Sequence, residues 1–366
     1  MKLLLLDQYS ELGGAQQCLL ELLPAILARG WQCTVGLPGD GPLVGRVHEL
    51  GIPVERIACG PYESGRKSLA DLTRFAAGTP KLARQIRNFA ADLVYVNGPR
   101  LVPAAALAGR FVFHSHSFLA PGAVRQLTGR SLRRAHASVI ASCEFVGEPW
   151  RRYVDRVAVI YNGVAGSPAA HRSPAACPTI GCLGRIAPEK GQREFIAAAA
   201  IVHRAVPGCR FRIYGTPMFA SERYAGEVRA AAANLPVEFC GWVSDVRAAL
   251  AELDLVLVPS AAHEATTRVI LESFAAGVPV VAFRSGGIPE VVEHGVGGWL
   301  AAGVAEMARL AIEFLTGPRT AVSAAAREVW SRRFTLQRYQ REVLESLENI
   351  AAAKPASTAA PARTGP

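Results

Sequence analysis

The sequence predicts two doubly wound α/β units in tandem, each a parallel sheet flanked by helices. Three observations carry this. Short valine- and leucine-rich runs alternate with longer helical stretches along most of the chain. The alternation breaks once, at an Ala-, Pro- and Ser-rich stretch near the middle, and then restarts. The 366 residues, half of them hydrophobic, are enough for two ordinary domains with cores of their own.

In the first unit, residues 1–163, "KLLLLD" reads as a buried strand, "ELGGAQQ" as a glycine turn and "CLLELLPAILARG" as the helix it opens. "WQCTVGLP", "ADLVYVNGP", "RFVFHSH", "ASVIASC" and "VAVIYNGV" follow as further strands. Residues 164–177, "VAGSPAAHRSPAAC", read as a linker. The second unit, 178–332, has strand signals at "TIGCLGRI", "CRFRIYG", "VEFCGWV", "LDLVLVPS", "VPVVAFRS" and "GGWLA", with helices such as "REFIAAAAIVHRAV" and "SDVRAALAEL" between them. An amphipathic helix is expected within 333–352, and the tail 353–366 lacks core-forming residues and is expected to be disordered.

Composition narrows the function classes. The apolar run of "MKLLLLDQYS" stops at Asp7 after four leucines, too short for a secretion signal, and no stretch reaches the roughly 20 apolar residues that span a bilayer. Eight cysteines form no CxxC pair and no metal-like spacing, so they read as reduced, mostly buried thiols of a cytoplasmic protein. The net charge of +10 is uneven: residues 1–163 carry 19 Lys and Arg against 12 Asp and Glu. Arg66, Lys67, Arg74, Lys81, Arg84 and Arg87 form one basic group, and Arg125, Arg130, Arg133 and Arg134 a second. Such a surface suits an anionic membrane, with a solvated arginine-rich face as the alternative. Neither interleaved aromatics nor zinc spacing supports a nucleic acid partner.

Three motifs carry chemistry. Gly13 and Gly14 follow the first strand and open a helix, where bare backbone and free N–H groups suit an anion; a plain tight turn fits equally. In "GRIAPEKGQREF", Arg185 and Lys190 flank a Pro-Glu turn between strand and helix, where open α/β sheets bind ligands. Two cations there suit a diphosphate and the charge that grows on a departing one. In "HEATTRVILESFAAGVPVV", Thr266 and Thr267 are candidate caps, so Glu264 falls in the loop and Glu272 inside the helix, about 12 Å further on. Two carboxylates on either side of a helix N-terminus match a ligand laid out as hydroxyls, anion, hydroxyls.

Jointly these residues resemble the retaining glycosyltransferases of family 4, which have the GT-B fold of two Rossmann-like domains facing a cleft. "EATTRVILESFAAGVPVVAFRSGGIPEVVEHGVGGWL" is similar to the family's C-terminal signature of two glutamates with seven residues between them, Ala-x-Gly-x-Pro-Val-Val and Gly-Gly-x-Pro-Glu. "GRIAPEKG", "IYNGV" and "GGAQQ" match its other elements, in family order, from residue 13 to about 300. The resemblance implies a donor site in which Arg185 and Lys190 hold the diphosphate of a nucleotide sugar, Glu272 binds the ribose and Glu264 contacts the transferred sugar. Gly14 would face the phosphates or the acceptor from the other domain, with Gly13, Thr267 and Arg268 also among the donor-binding residues. A histidine next to the sugar maps to His116 first and His114 second. It further implies an acceptor domain at 1–163, a donor domain at 178–332 and a last helix returning to the first. The expected reaction is retaining transfer to a glycan or lipid-linked acceptor, with no cofactor and no obligatory metal, since no Asp-x-Asp motif occurs. One departure stands out: Ala265, Thr266 and Thr267 replace the usual Phe-Gly or Gly-Phe-Gly. It leaves room for a silent sugar-nucleotide-binding module, and an epimerase or hydrolase of the same fold is a further alternative.

Overall fold

Strands β1 (Lys2–Asp7), β2 (Gln32–Leu37), β3 (Val54–Arg56), β4 (Leu93–Asn97), β5 (Phe111–Ser115), β6 (Ser138–Ala141) and β7 (Val157–Val159) form one parallel sheet, in the order β3-β2-β1-β4-β5-β6-β7. Its helices are α1 (Gly14–Ala28), α2 (Pro42–His48), α3 (Leu69–Phe89), α4 (Val102–Ala108), α5 (Ala123–Arg134) and α6 (Glu144–Arg151). The second parallel sheet holds β8 (Thr179–Leu183), β9 (Arg210–Tyr214), β10 (Val237–Gly241), β11 (Leu255–Val258), β12 (Val280–Phe283) and β13 (Gly298–Ala301), in the order β10-β9-β8-β11-β12-β13. With it come α7 (Gln192–Ala205), α8 (Glu222–Ala231), α9 (Val246–Ala251), α10 (Arg268–Ala276), α11 (Ile288–Val291), α12 (Val304–Thr316) and α13 (Arg319–Arg333), followed by α14 (Leu336–Ala352).

This computed structural model describes residues 1–60, 69–166, 177–217, 222–261 and 263–353. Arg66 and Lys67, most of the expected linker (167–176) and the expected tail from residue 354 lie outside the described residues.

Both sheets are fully parallel, so both faces must be covered, and the strands are therefore apolar on both sides. Alternate leucines of β1 point to opposite faces. Leu3 and Leu5 enter the core with α1, while Leu4 and Leu6 enter the core shared with α4 and Trp150. The short β3 escapes the sequence pattern because Glu55 and Arg56 are exposed and leave no apolar run.

The chain crosses between the halves twice at one place. Val164 N donates to Phe334 O at 3.0 Å, and Leu336 N donates to Val164 O at 3.0 Å. Gly163 is packed so closely there that a Cβ would lie 2.4 Å from Thr335 O. After this crossing α14 lies on the first half, where Tyr339, Val343, Leu344, Leu347 and Ile350 join the core of α1. The described cysteines are all free thiols; six are buried, Cys177 is exposed and Cys240 is partly covered. Among the described residues no helix is long and apolar enough to cross a membrane.

Candidate functional site

In each sheet the strand order reverses between two neighbours, β1 and β4 in the first, β8 and β11 in the second. Loops leaving the carboxyl ends of such neighbours diverge and leave a crevice, where α/β sheets take ligands. Gly13, Gly14, Arg185, Lys190 and Glu264 all fall on those four strands' outgoing segments.

At the first crevice β1 ends in Asp7, which pairs in register with Asn97 at the end of β4. The Asp7 carboxylate is buried and accepts from Asn97 Nδ2 at 2.5 Å, Gln16 Nε2 at 2.9 Å and the Tyr9 amide at 2.9 Å. Burial pushes its pKa up to about 6, and those hydrogen bonds only partly offset it. Gln16 lies in the first turn of α1, whose cap is Gly13, with no side-chain bond to the first amides.

Above this network lies a cavity of about 230 Å³, lined among others by Tyr9, Gly14, Asn97, His114, His116 and Trp150. No Lys, Arg, Asp or Glu lines it. The Nδ1 of His114, at the end of β5, pairs with Tyr95 Oη at 2.5 Å, and its ring stacks on His116 with centroids 3.8 Å apart. His114 Nε2, both ring nitrogens of His116 and Asn97 Oδ1 are buried without a partner. Burial holds His114 far below the ordinary histidine range, and burial with the Arg268 cation pushes His116 down to about 3. Both rings are therefore neutral, and the cavity offers uncharged donors, acceptors and aromatic faces.

At the second crevice the loop after β8 must turn sharply. Gly191 takes φ +72°, and a Cβ there would lie 2.1 Å from Pro259 O, so only glycine fits. The turn presents Lys190, whose Nζ meets Glu264 Oε1 at 2.5 Å, while Arg185 pairs with Glu189. The expected capping by the threonines is not what forms. Thr267 occupies the cap position of α10, but its hydroxyl donates to Glu264 Oε2 at 3.2 Å, and Thr266 Oγ1 accepts from Asn162 Nδ2 at 3.1 Å. The start of α10 thus carries no side-chain cap.

Arg268 and Glu272, one turn apart on α10, pair at 3.2 Å. The guanidinium also reaches across to the first half and grips Glu21 of α1 with both nitrogens, at 2.8 and 2.9 Å. Arg268 is largely buried; burial alone would lower its pKa, but Cys18, Glu272 and Glu21 outweigh it and raise it well above the ordinary arginine value. Burial raises the Glu272 carboxyl, and Arg268 counters that rise. A Cβ on Gly14 would lie 3.6 Å from Arg268 Cδ, an ordinary contact, so the start of α1 and the arginine stem pack side by side.

Two groups of sequence-selected residues result. Gly14, His114, His116, Arg268 and Glu272 meet where α10 faces the first half; Lys190, Glu264 and Thr267 meet on the second half, with Arg185 at the start of the same loop. Reasoning from sequence missed Asp7, Gln16, Asn97 and Glu21. A carboxylate ending an apolar strand was the available signal for Asp7; Glu21 is an ordinary helix glutamate until the fold sets it against Arg268. Among the described residues no three His, Cys, Asp or Glu side chains gather as a metal site requires.

Comparison with known proteins agrees with this architecture. The chain is 34% identical over 163 residues to the GDP-mannose-dependent monoacylated alpha-(1-6)-phosphatidylinositol monomannoside mannosyltransferase of Corynebacterium glutamicum, covering 41% of this chain and 42% of that one. It is 35% identical over 146 residues to the lipopolysaccharide core biosynthesis glycosyltransferase LpsE of Rhizobium meliloti, covering 38% and 40%. These alignments span less than half the length of either relative. Anabaena HepE in complex with UDP-glucose superposes with a TM-score of 0.80 at 26% identity, over 95% of this chain and all of that one. The sucrose-phosphate synthase of Thermosynechococcus elongatus, at 18% identity and a TM-score of 0.78, shares the fold. Residues 13–163 match the family model of the glycosyl transferase 4-like domain and residues 177–316 that of glycosyl transferases group 1. The chain is thus a GT-B protein made of a glycosyl transferase 4-like domain followed by a glycosyl transferases group 1 domain.

Proposed function

We propose that this chain is a retaining glycosyltransferase that moves a sugar from a nucleotide diphosphate to an acceptor hydroxyl in bacterial polysaccharide or glycolipid assembly. One observation carries the reading: a charged crevice with Lys190, Glu264 and an uncapped helix faces an uncharged, hydroxyl-matching cavity across the two halves. The names of the relatives, a glycolipid mannosyltransferase and a lipopolysaccharide core glycosyltransferase, support it.

In this reading residues 178–332 form the donor half, and residues 1–163 with the returning helix the acceptor half. Arg185, Lys190 and the first amides of α10 take the diphosphate and the charge that develops as it leaves, without an obligatory metal. Glu264 lies where it can accept from hydroxyls of the transferred sugar once donor phosphate competes for Lys190. Glu272 takes the ribose, and Arg268 holds its carboxylate ionised in a buried place. His116 and then His114, both neutral, exchange hydrogen bonds with sugar hydroxyls at the cavity. The acceptor unit entering that cavity is a neutral hydroxylated ring, because the side chains that line it carry no charge. The lipid or glycan behind that unit lies against the basic face of α3 and α5, on an anionic membrane at its cytoplasmic side. The donor is open: the Corynebacterium relative is named for GDP-mannose, and HepE is described with UDP-glucose.

A thermal-shift screen of UDP-, GDP- and ADP-sugars in metal-free buffer tests this. A ligand at 100 times its Kd adds about 2.7 kcal/mol of stability. The expected result is a shift with one nucleotide, lost in the Arg185→Ala/Lys190→Ala variant. The absence of any shift with all three would overturn the donor site.

A further inference from the structure

The Gly-Gly-x-Pro-Glu segment is used by none of the roles above, yet its glutamate makes a contact between the halves. Glu290 accepts from the amide of Glu144 at 2.7 Å and from that of Phe145 at 2.8 Å, the first two residues of α6. Helix α6 has no side-chain cap of its own, so the second half supplies the carboxylate that its N-terminus lacks. Tyr161 Oη donates to the same carboxylate at 2.9 Å, and Arg333 holds the Glu290 carbonyl at 2.8 Å.

Three rings stand beside this cap. Phe118 stacks on Phe145 at 4.6 Å and on His263 at 4.7 Å, with planes within 26° of parallel. Phe118 lies two residues beyond His116, and His263 immediately precedes Glu264. His263 is exposed and takes φ +47°, a left-handed backbone that costs a residue with a Cβ about 1 kcal/mol or more. The glycines of the segment complete the arrangement. Gly287 N donates to Glu264 O at 2.9 Å, a Cβ on Gly286 would lie 2.0 Å from that same oxygen, and one on Gly287 would lie 2.6 Å from Cys143 Sγ. One loop thus presses on the Glu264 backbone and on the start of α6 together.

We propose that Glu290 and the Phe118–His263–Phe145 stack form a clasp that closes the two halves and sets His116 against Glu264. They are positioning residues: they touch the chain beside the sugar-contacting groups and not the sugar. The stack ties the neighbours of His116 and Glu264 to each other, and the cap fixes the angle of the halves around it. Arg185, Lys190, Glu264 and Glu272, which hold most of the donor, all lie in the second half, so opening the clasp changes the donor Kd little and lowers the rate. The inference rests on the transfer reading for its rate consequence, while closure itself is measured independently.

The experiment compares wild type with Glu290→Gln, Phe118→Leu, His263→Ala and the ring-preserving Phe118→Tyr. Small-angle scattering with a saturating nucleotide sugar reports closure; calorimetry gives the donor Kd, and steady-state transfer gives kcat. Losing charge-assisted bonds at the cap should lower kcat about tenfold in Glu290→Gln. The same variant should have a larger radius of gyration and a donor Kd within about twofold of wild type. Phe118→Leu and His263→Ala should follow it, and Phe118→Tyr should restore both radius and rate. Wild-type radii in Glu290→Gln, Phe118→Leu and His263→Ala would overturn the clasp, whatever their rates. A wild type that closes on donor yet transfers no sugar would overturn the transfer reading and leave the scattering comparison to decide the clasp.

Discussion

Arg268 binds carboxylates of both halves, so its removal and the removal of its partner should cost different amounts. Arg268 and Glu21 expose 13% and 14% of their side chains, which leaves little solvent to screen the pair. Arg268→Ala strands two carboxylates, Glu21 and Glu272, in one buried place, and breaking a buried pair in this way costs roughly 3–5 kcal/mol. Glu21→Ala leaves Arg268 with Glu272 at 3.2 Å. Its cost is that of two charge-assisted bonds in a network that survives, about 2 kcal/mol. Urea unfolding at pH 7.5 measures both, read as a shift in midpoint at unchanged slope. The double variant should cost no more than Arg268→Ala alone, because losing Glu21 relieves the repulsion that the first change creates. The Arg268→Ala penalty should also shrink at low pH: without the cation the Glu272 carboxyl rises further, and a raised acid loses its stability contribution as pH climbs. The reasoning fails if Glu21→Ala costs as much as Arg268→Ala, or if the two add to within about 0.5 kcal/mol.

Two further predictions concern pH and membranes. Asp7, raised from 3.8 to about 6, contributes stability that is present below pH 3.8 and lost as pH rises to 6. His116, lowered from 6.5 to about 3, contributes stability that is present above pH 6.5 and lost as pH falls. Between pH 4.5 and 5.5, then, Asp7→Asn should steepen the rise of stability with pH by up to about 1.4 kcal/mol per unit, and His116→Gln should flatten it by as much. Urea midpoints across that range check both, and identical slopes in the two variants would refute the burial argument. At the surface, Arg84 and Arg87 of α3 are exposed, and the exposed Leu72 and Leu107 lie on α3 and α4. Arg84→Ala/Arg87→Ala should weaken binding to anionic vesicles about thirtyfold at low salt, at about 1 kcal/mol per cation. Vesicle flotation across a salt series measures it, and binding indifferent to salt would refute the basic face as a docking surface.

Most of the fold is legible because parallel strands buried on both faces read as unbroken apolar runs. "KLLLLD", "LVYVN" and "LVLV" announce themselves, and the helix from Leu336 to Ala352 appears in the structure as its pattern predicts. Three-residue β3 does not, since its side chains face water. The site divides along the same line. Residues on outgoing loops at the strand ends, such as Lys190 and Glu264, can be found because the topology dictates where ligands bind. Glu21 and Asn97 cannot, because each acts through a partner far off in the chain, Arg268 and Asp7; Glu290 stands in a legible motif, but its partners, the first amides of α6, are as distant. The threonines mislead for a related reason. Local rules make them caps, but Thr267 turns to Glu264 three residues back, and the fold brings the distant Asn162 to Thr266.

The returning helix bears on how this protein is made. Synthesis delivers β1 and α1 long before α14, yet their core includes Tyr339, Val343, Leu344 and Leu347. While the second half is being translated, Leu19, Leu23 and Ile26 lack the surface that covers them. The first half must therefore wait on the ribosome with an open apolar seam while the second, whose core is complete at Phe334, can settle ahead of it. Cutting the chain before Leu336 would leave that seam exposed for good, so of the two halves the one translated earlier is the one a premature stop injures more.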